Sequence, residues 1–205
     1  MRYRWQVMAA IEAARVVAIV RERTEVDAVR AVEAVVGAGL PVVEVTMTTP
    51  GVLRIVERLR GTDTLVGVGT ALSPGEVAAA AGAGARFVVT PNLSVEVITT
   101  AHRHGLAALV GCATPTEIVQ ALEAGADAVK LFPASALGID YLTAVRATLP
   151  WAPIIPTGGV NEANAAEWIA AGGVALGMGS GLTRGGEAEV RSRVAALRAS
   201  LGVAG

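Results

Sequence analysis

The chain has 205 residues, of which 53% are hydrophobic and only 17% charged, so it is expected to bury a large core and to fold as one domain over residues 1–205. Its net charge of −1 argues against nucleic-acid and anionic-membrane partners, and no apolar run reaches 18 residues. One cysteine and two histidines argue against disulfides and against a metal site. These features predict a cytoplasmic protein that binds a small molecule.

Short β-branched runs alternate along the chain with Ala/Glu/Arg-rich stretches of helical period, and glycine-marked turns separate the two. The runs are continuously apolar, which is typical of strands buried on both faces. The predicted strands span residues 16–20, 42–46, 64–69, 87–90, 107–110, 128–132, 154–156 and 174–177. Helical patterns between them include residues 25–36, 75–83, 115–124 and 163–171.

Helix starts are predicted from capping residues, namely Thr24, Ser73 before Pro74, Thr114 before Pro115, and Asn161. Eight strands alternating with eight helices indicate a parallel α/β fold. A closed (β/α)8 TIM barrel is favoured over an open sheet, because the repeat is regular and no dinucleotide-binding fingerprint follows the first strand. An extra N-terminal helix, over about residues 3–14, is expected to plug the bottom of the barrel.

Lys130 is the single lysine of the chain and lies in the apolar segment "AVKLF". Under strand alternation Val129 and Leu131 point away from it, so the lysine is predicted to point into the barrel mouth. Burial disfavours the charged form of a lysine, and a neutral amine is the nucleophile that attacks carbonyl groups. Arginine cannot form an imine. The alternative is a lysine whose ammonium reaches the solvated rim.

Glu44 places a carboxylate inside the apolar strand "VVEVT", where an unpaired charge is costly. It shares a strand face with Val42 and Thr46, so either it points into the barrel or the whole strand is inverted. A glutamate near Lys130 could move protons for imine chemistry. The alternative is a structural ion pair with an arginine such as Arg21.

Glycine-rich turns follow the seventh and eighth strands and predict a phosphate site, because their backbone N–H groups are open to an anion. The first turn, "PTGGV", contains Thr157, Gly158 and Gly159, and the second, "GMGSGL", contains Gly179 and Ser180. The alternative is tight packing alone.

The segments "EVT", "GVGT", "TPN", "GCATPTE", "VKLFPAS", "PTGG" and "GMGS", in this order, resemble the 2-keto-3-deoxy-6-phosphogluconate (KDPG) aldolase / 4-hydroxy-2-oxoglutarate (KHG) aldolase family. The resemblance spans about residues 15–185. It implies a class I aldolase without metal or other cofactor, a (β/α)8 fold, a homotrimer and a phosphorylated keto acid as substrate. The expected reaction is cleavage of KDPG to pyruvate and glyceraldehyde 3-phosphate. Cleavage of 4-hydroxy-2-oxoglutarate to pyruvate and glyoxylate is a further candidate activity.

The resemblance also implies a role for individual residues. Lys130 would form the Schiff base and Glu44 would be the acid/base. The remaining residues would bind substrate: Thr70 the pyruvate carboxylate, Pro91 and Phe132 the pyruvyl group, and Gly158, Gly159, Gly179 and Ser180 the phosphate. Many members carry an arginine four residues after the glutamate, where this chain has Thr48, and Arg21 is expected to supply that cation.

Three alternatives stay open at this point, one of which is a barrel that binds a phosphoryl ligand without catalysing a reaction. The branch of the family that acts on the 6-phosphogalactonate epimer shares the same motifs. A phosphosugar epimerase or synthase could also use such a barrel without an imine, with Lys130 as an electrostatic clamp.

Overall fold

Eight parallel strands form the centre of the computed structural model, which describes residues 3–202. They pair in the order β7-β6-β5-β4-β3-β2-β1-β8, and a bridge between Thr157 and Gly177 joins the two ends into a nearly closed barrel. The predicted TIM barrel is therefore confirmed. The strands are β1 Val16–Val20, β2 Val42–Thr46, β3 Leu65–Gly69, β4 Phe87–Thr90, β5 Ala107–Cys112, β6 Ala128–Leu131, β7 Ile154–Pro156 and β8 Leu176–Met178.

Eleven helices occur within residues 3–202, three more than predicted for the barrel. The additional ones are the N-terminal helix and two four-residue helices in the loops after β6 and β8. No helix in this part of the chain has the length and apolar character needed to cross a bilayer. The helices are α1 Arg4–Ala14, α2 Glu25–Gly37, α3 Val52–Leu59, α4 Pro74–Ala83, α5 Val95–Arg103, α6 Pro115–Glu123, α7 Ala134–Leu137, α8 Ile139–Thr148, α9 Ala165–Ala170, α10 Ser180–Thr183 and α11 Glu187–Ser200.

Three of the four predicted helix starts are confirmed by capping hydrogen bonds. The side chains of Thr24, Ser73 and Thr114 each accept a backbone N–H at the third position of α2, α4 and α6. The Asn161 prediction is wrong, because α9 begins only after Asn164. The Asn161 side-chain oxygen accepts the Ala163 N–H, and this local turn takes up the residues before the helix.

Side chains alternate along each strand between the barrel interior and the surrounding helices. In β6, Val129 and Leu131 pack into the outer core between strands and helices, whereas Ala128 belongs to the inner core. The same alternation in β2 places Val43 and Val45 outside and turns Glu44 inward. Of the two orientations that the sequence left open for this strand, the structure thus has the one in which Glu44 points into the barrel.

Helix α1 closes the bottom of the barrel, as predicted. Its buried residues Val7, Met8 and Ile11 pack in one cluster with the inward-facing side chains at the strand starts. Phe87, the largest of these, fills the space left by Gly67 on the adjacent strand, since a Cβ there would overlap its ring. With the bottom closed, the interior is open to ligands at the carboxyl ends of the strands, which is where barrel enzymes carry their sites.

Candidate active site

A cavity of about 460 Å³ lies at the carboxyl ends of the strands. Seven of the predicted site residues line it together, although β1, β6, β7 and β8 carry them far apart in sequence. Ile19, Asn161 and Arg184 also line this cavity and were missed by the sequence analysis. The seven predicted residues are Arg21, Lys130, Phe132, Thr157, Gly158, Gly159 and Gly179.

Lys130 reaches this cavity from β6 and is only 6% exposed, which excludes the alternative of a lysine reaching the solvated rim. Its neighbours in the barrel wall are Gly111 of β5 and Ile155 of β7. The Nζ atom lies 5.1 Å from the centre of the Phe132 ring, within cation–π range. Among the side chains that the structure describes, no hydrogen bond or ion pair engages this amine, so it is available to a ligand.

Glu44 is 3% exposed, and burial raises the pKa of its carboxyl group above the usual 4.5. The positive charges of Lys130 and Arg21 oppose this shift without cancelling it. No ion pair joins Glu44 to either residue among the described side chains, so the alternative of a structural ion pair with Arg21 does not hold. A buried carboxyl group that interacts with a lysine amine in this way suits proton transfer.

The carboxylate of Glu44 occupies a space that Gly69 provides at the end of β3. A Cβ at position 69 would overlap the Glu44 carboxylate, and no larger residue fits there without displacing it. Because Gly69 of β3 has no side chain, the carboxylate of Glu44 on β2 can take this position.

Arg21 and Thr70 meet beside this carboxylate. The exposed Arg21 donates a hydrogen bond from Nη2 to Thr70 Oγ1 at 3.4 Å. Thr70 has φ of 56°, a left-handed conformation that a β-branched residue rarely adopts and that costs about 1–3 kcal/mol. Strain of this kind is concentrated at functional sites. The structure thus brings together the two residues predicted to bind a carboxylate, although Thr70 does not line the cavity itself.

Pro91 approaches the site through the backbone. A Cβ at position 111 would overlap the Pro91 carbonyl, so Gly111 allows the loop after β4 to come close to β5 beside Lys130. Pro91 and Glu44 do not line the cavity directly, unlike Phe132, whose ring forms part of its wall.

The glycine turn after β7 forms the part of the wall next to Phe132. Gly158 and Gly159 have φ of 91° and 82°, which favours glycine at both positions. Their carbonyl oxygens accept hydrogen bonds from Ser135 N–H and Asn164 Nδ2, which anchor the turn. Thr157 is buried beside Gly177, where a Cβ would overlap its hydroxyl group. The Ser180 side chain lies outside the described part of the structure.

The cavity wall is cationic. Its described residues include Arg21, Lys130 and Arg184 and no carboxylate, so the wall is suited to an anionic ligand. Within residues 3–202, no group of three or more histidine, cysteine, aspartate or glutamate side chains could hold a metal ion. The expectation of an enzyme without a cofactor stays a prediction.

A parallel barrel with a buried lysine and a buried glutamate at a cationic mouth defines the class of protein, a (β/α)8 enzyme built to handle an acidic small molecule. Residues 7–197 match the family model for KDPG and KHG aldolases, and the chain therefore belongs to this family. Its relatives are aldolases, so the chain is an aldehyde-lyase.

Individual relatives differ in their substrate names. The chain is 41% identical over 181 residues to the 2-dehydro-3-deoxy-6-phosphogalactonate aldolase of Escherichia coli, covering 86% of this chain and 88% of that protein. It is 37% identical to the 2-dehydro-3-deoxy-phosphogluconate aldolase of Treponema pallidum, covering 78% of each. A solved structure of the KDPG aldolase from Legionella pneumophila, with pyruvate captured as a covalent carbinolamine, superposes with a TM-score of 0.81 at 28% identity, covering 98% of both chains.

Proposed function

We propose that this chain is a class I aldolase that cleaves KDPG to pyruvate and glyceraldehyde 3-phosphate through an imine on Lys130. The observation that carries the proposal is the buried Lys130 amine in a cationic cavity, without a hydrogen-bond or ion-pair partner among the described side chains and with Glu44 buried nearby. The covalent carbinolamine in the Legionella relative supports the same chemistry here.

The reaction begins when the neutral Lys130 amine attacks the C2 carbonyl of the keto acid and forms a carbinolamine. Glu44 supplies the proton that allows hydroxide to leave as water, and the iminium remains. The raised pKa of Glu44 suits this step, because a larger fraction of the carboxyl group carries a proton near neutral pH than for an ordinary glutamate.

Bond cleavage follows because the iminium accepts electrons. A base, for which Glu44 is the candidate, removes the C4 hydroxyl proton, and the C3–C4 bonding pair moves toward the iminium nitrogen. The aldehyde leaves and an enamine remains. Protonation of the enamine at C3 and hydrolysis of the resulting iminium release pyruvate and restore the Lys130 amine.

The rest of the site would position the substrate. Arg21, with Thr70 beside it, would bind the pyruvate carboxylate, and Phe132 and Pro91 would enclose the pyruvyl group. The glycine turns at Gly158–Gly159 and Gly179–Ser180 would bind the phosphate through backbone N–H groups. Binding energy from these remote groups holds C2 close to the amine.

A second candidate substrate is 2-keto-3-deoxy-6-phosphogalactonate, the C4 epimer. The 41% identity to the Escherichia coli enzyme of that name supports it, as the 37% identity to the Treponema pallidum enzyme supports the gluconate series. We also include 4-hydroxy-2-oxoglutarate, which has the same reacting keto acid group. Comparison of kcat/KM for the two phosphorylated epimers and 4-hydroxy-2-oxoglutarate decides between the three.

The mechanism is tested by borohydride reduction in the presence of pyruvate, followed by intact-mass analysis and peptide mapping. We expect one reduced pyruvyl adduct, on the Lys130 peptide, and none in Lys130→Arg, which keeps the charge but cannot form an imine. An unmodified wild-type protein that nevertheless cleaves the substrate would rule out the imine and make Lys130 an electrostatic clamp.

We further propose that the enzyme is a cytoplasmic homotrimer. Large apolar side chains stay exposed on the single chain, including Trp151 at 62%, Val26 at 59% and Leu72 at 57%, and subunit contacts would cover such surfaces. Light scattering coupled to size exclusion tests this. A mass three times the chain's 20.7 kDa supports the trimer, and a monomeric mass at micromolar concentration contradicts it.

A further inference from the structure

Arg184 is a cation of the active-site cavity for which the family motifs predict no role. It follows α10, lines the cavity together with Lys130 and Gly158, and is exposed. Its guanidinium has no hydrogen-bond or ion-pair partner among the side chains that the structure describes. An arginine without a partner at the wall of a ligand cavity is free to bind an anion.

The turn that carries Arg184 is anchored from both sides. Leu182 and Thr183 are buried beneath it. From α11, Arg193 donates hydrogen bonds to the backbone carbonyl oxygens of Gly181 and Arg184 itself. The base of the Arg184 side chain is thus held in place while the guanidinium stays free, an arrangement that limits the entropy lost when a ligand binds.

Arg184 also lines a second cavity, of about 590 Å³, together with Thr183 and Gly185 of the same turn. Four residues contribute carboxylates to it, but none of them forms an ion pair with Arg184 among the described residues: Glu22, Asp27, Glu33 and Glu187. The positive charge of Arg184 is therefore not neutralised by a fixed partner, and it contributes to the potential of the active-site cavity.

The three cations of the cavity wall have separate positions. Lys130 is in the barrel wall at the expected imine, and Arg21 lies beside Glu44 and Thr70, where the carboxylate is expected. Arg184 comes from the loop after β8, next to Gly179 and Gly181. A substrate with an anionic group at each end would place its phosphate on this side. The phosphate carries a charge near −2, and backbone N–H groups alone would bind it without supplying a counter-ion.

We infer that Arg184 is a specificity-determining residue that binds the phosphoryl group of the substrate and gives the enzyme its preference for phosphorylated over unphosphorylated keto acids. This inference rests on the proposed function. A planar guanidinium binds phosphate oxygens in bidentate fashion, whereas the unphosphorylated acid of the same carbon skeleton offers only a neutral hydroxyl group at that end.

The test compares kcat and KM of the wild type, Arg184→Gln and Arg184→Lys on 2-keto-3-deoxy-6-phosphogluconate or its galactonate epimer and on the same acid without phosphate. In Arg184→Gln we expect KM for the phosphorylated substrate to rise about 10- to 100-fold with kcat little changed, the loss of one charge-assisted contact. Kinetics on the unphosphorylated acid should stay within about twofold, and Arg184→Lys should recover part of the loss.

Arg191→Gln is the matched control. Arg191 lies on α11, pairs with Glu187 at 2.8 Å and does not line the active-site cavity, so its loss should leave the substrate preference unchanged. An unchanged preference in Arg184→Gln overturns the inference. So does an equal loss on both substrates, which would mean general damage to the site.

Two further measurements separate this inference from the proposed function. Borohydride trapping with pyruvate should succeed in every variant, because it reports Lys130 alone. Thermal stabilisation by glycerol 3-phosphate, which needs no turnover, should be present in the wild type and Arg191→Gln and lost in Arg184→Gln. Failure of trapping contradicts the imine only, whereas equal stabilisation of all variants contradicts the role of Arg184.

Discussion

Glu44 illustrates how one buried residue can reduce stability and support catalysis. Burial raises the pKa of its carboxyl group in the folded protein, while in the unfolded chain the group titrates near 4.5. Between these two values the folded state holds a proton that the unfolded state has lost, so the free energy of unfolding falls as pH rises through this window. Above the folded-state pKa the full cost of the buried charge is present.

Glu44→Gln should therefore stabilise the fold while it inactivates the enzyme. We expect a higher Tm than wild type at pH 7–8, and the difference should vanish near pH 4, where wild-type Glu44 is protonated in both states. Turnover should fall by about 10²- to 10⁴-fold, the usual contribution of a general acid or base. Thermal melts of both proteins across this pH range provide the measurement, and a variant less stable than wild type at pH 8 would contradict the argument.

Arg21 is expected to bind the carboxylate in place of the arginine that many relatives carry at position 48. Arg21→Ala should raise KM for the keto acid by about 10- to 100-fold, because it removes one charge-assisted contact. The pyruvate concentration for half-maximal borohydride trapping should rise in parallel. Thr48→Ala is the control, since Thr48 contacts the hydroxyl of Thr46 and is not expected to meet substrate. An unchanged KM in Arg21→Ala would show that another group binds the carboxylate.

At the scale of the elements, glycines on the strands make room for the functional side chains. Gly69 leaves space for Glu44, Gly111 for the Pro91 backbone and Gly177 for Thr157. Each pair joins neighbouring strands or their following loops, so strand register decides which side chain receives the space.

Gly69→Ala should lower kcat by at least about tenfold, because the new methyl group displaces the Glu44 carboxylate from the place where it acts. Gly82→Ala is the matched control. Gly82 lies in α4 with no atom within 4 Å of its added Cβ, so this variant should keep full activity and gain up to about 1 kcal/mol in the free energy of unfolding. Steady-state kinetics and urea denaturation of both variants test the pair, and full activity in Gly69→Ala would mean that the strands accommodate the methyl group.

The starts of helices were predicted correctly where a capping side chain itself accepts a hydrogen bond from the first turn of the helix. The threonine and serine caps of α2, α4 and α6 act within three residues of the chain, so the sequence is sufficient to predict them. The helix start predicted at Asn161 was wrong because an asparagine side chain can also stabilise a turn that does not begin a helix. The short helices α7 and α10 have no distinct periodic signal, since four residues do not complete two turns.

At the scale of the whole molecule, the barrel separates stability at its bottom from chemistry at its mouth. Ile11 of α1 is fully buried at the bottom. Ile11→Ala should reduce the free energy of unfolding by about 2–5 kcal/mol, the range for deleting a buried isoleucine to alanine. Well below its Tm the variant should still cleave substrate with wild-type KM. Chemical denaturation and kinetics check both parts, and a large change in KM at constant folding would show that α1 acts on the site.

The sequence alone determined the barrel and the residues at its centre. Alternation along a strand is a local property, so "AVKLF" and "VVEVT" showed which residues share a face with Lys130 and with Glu44, and the structure showed that these faces point inward. Only the tertiary structure showed that Arg184 borders the same cavity, that Gly69 positions Glu44, and that Thr70 is strained. These features depend on strand register and on the packing of α11 against the turn after α10, contacts between residues that are distant in the chain or set by the fold as a whole.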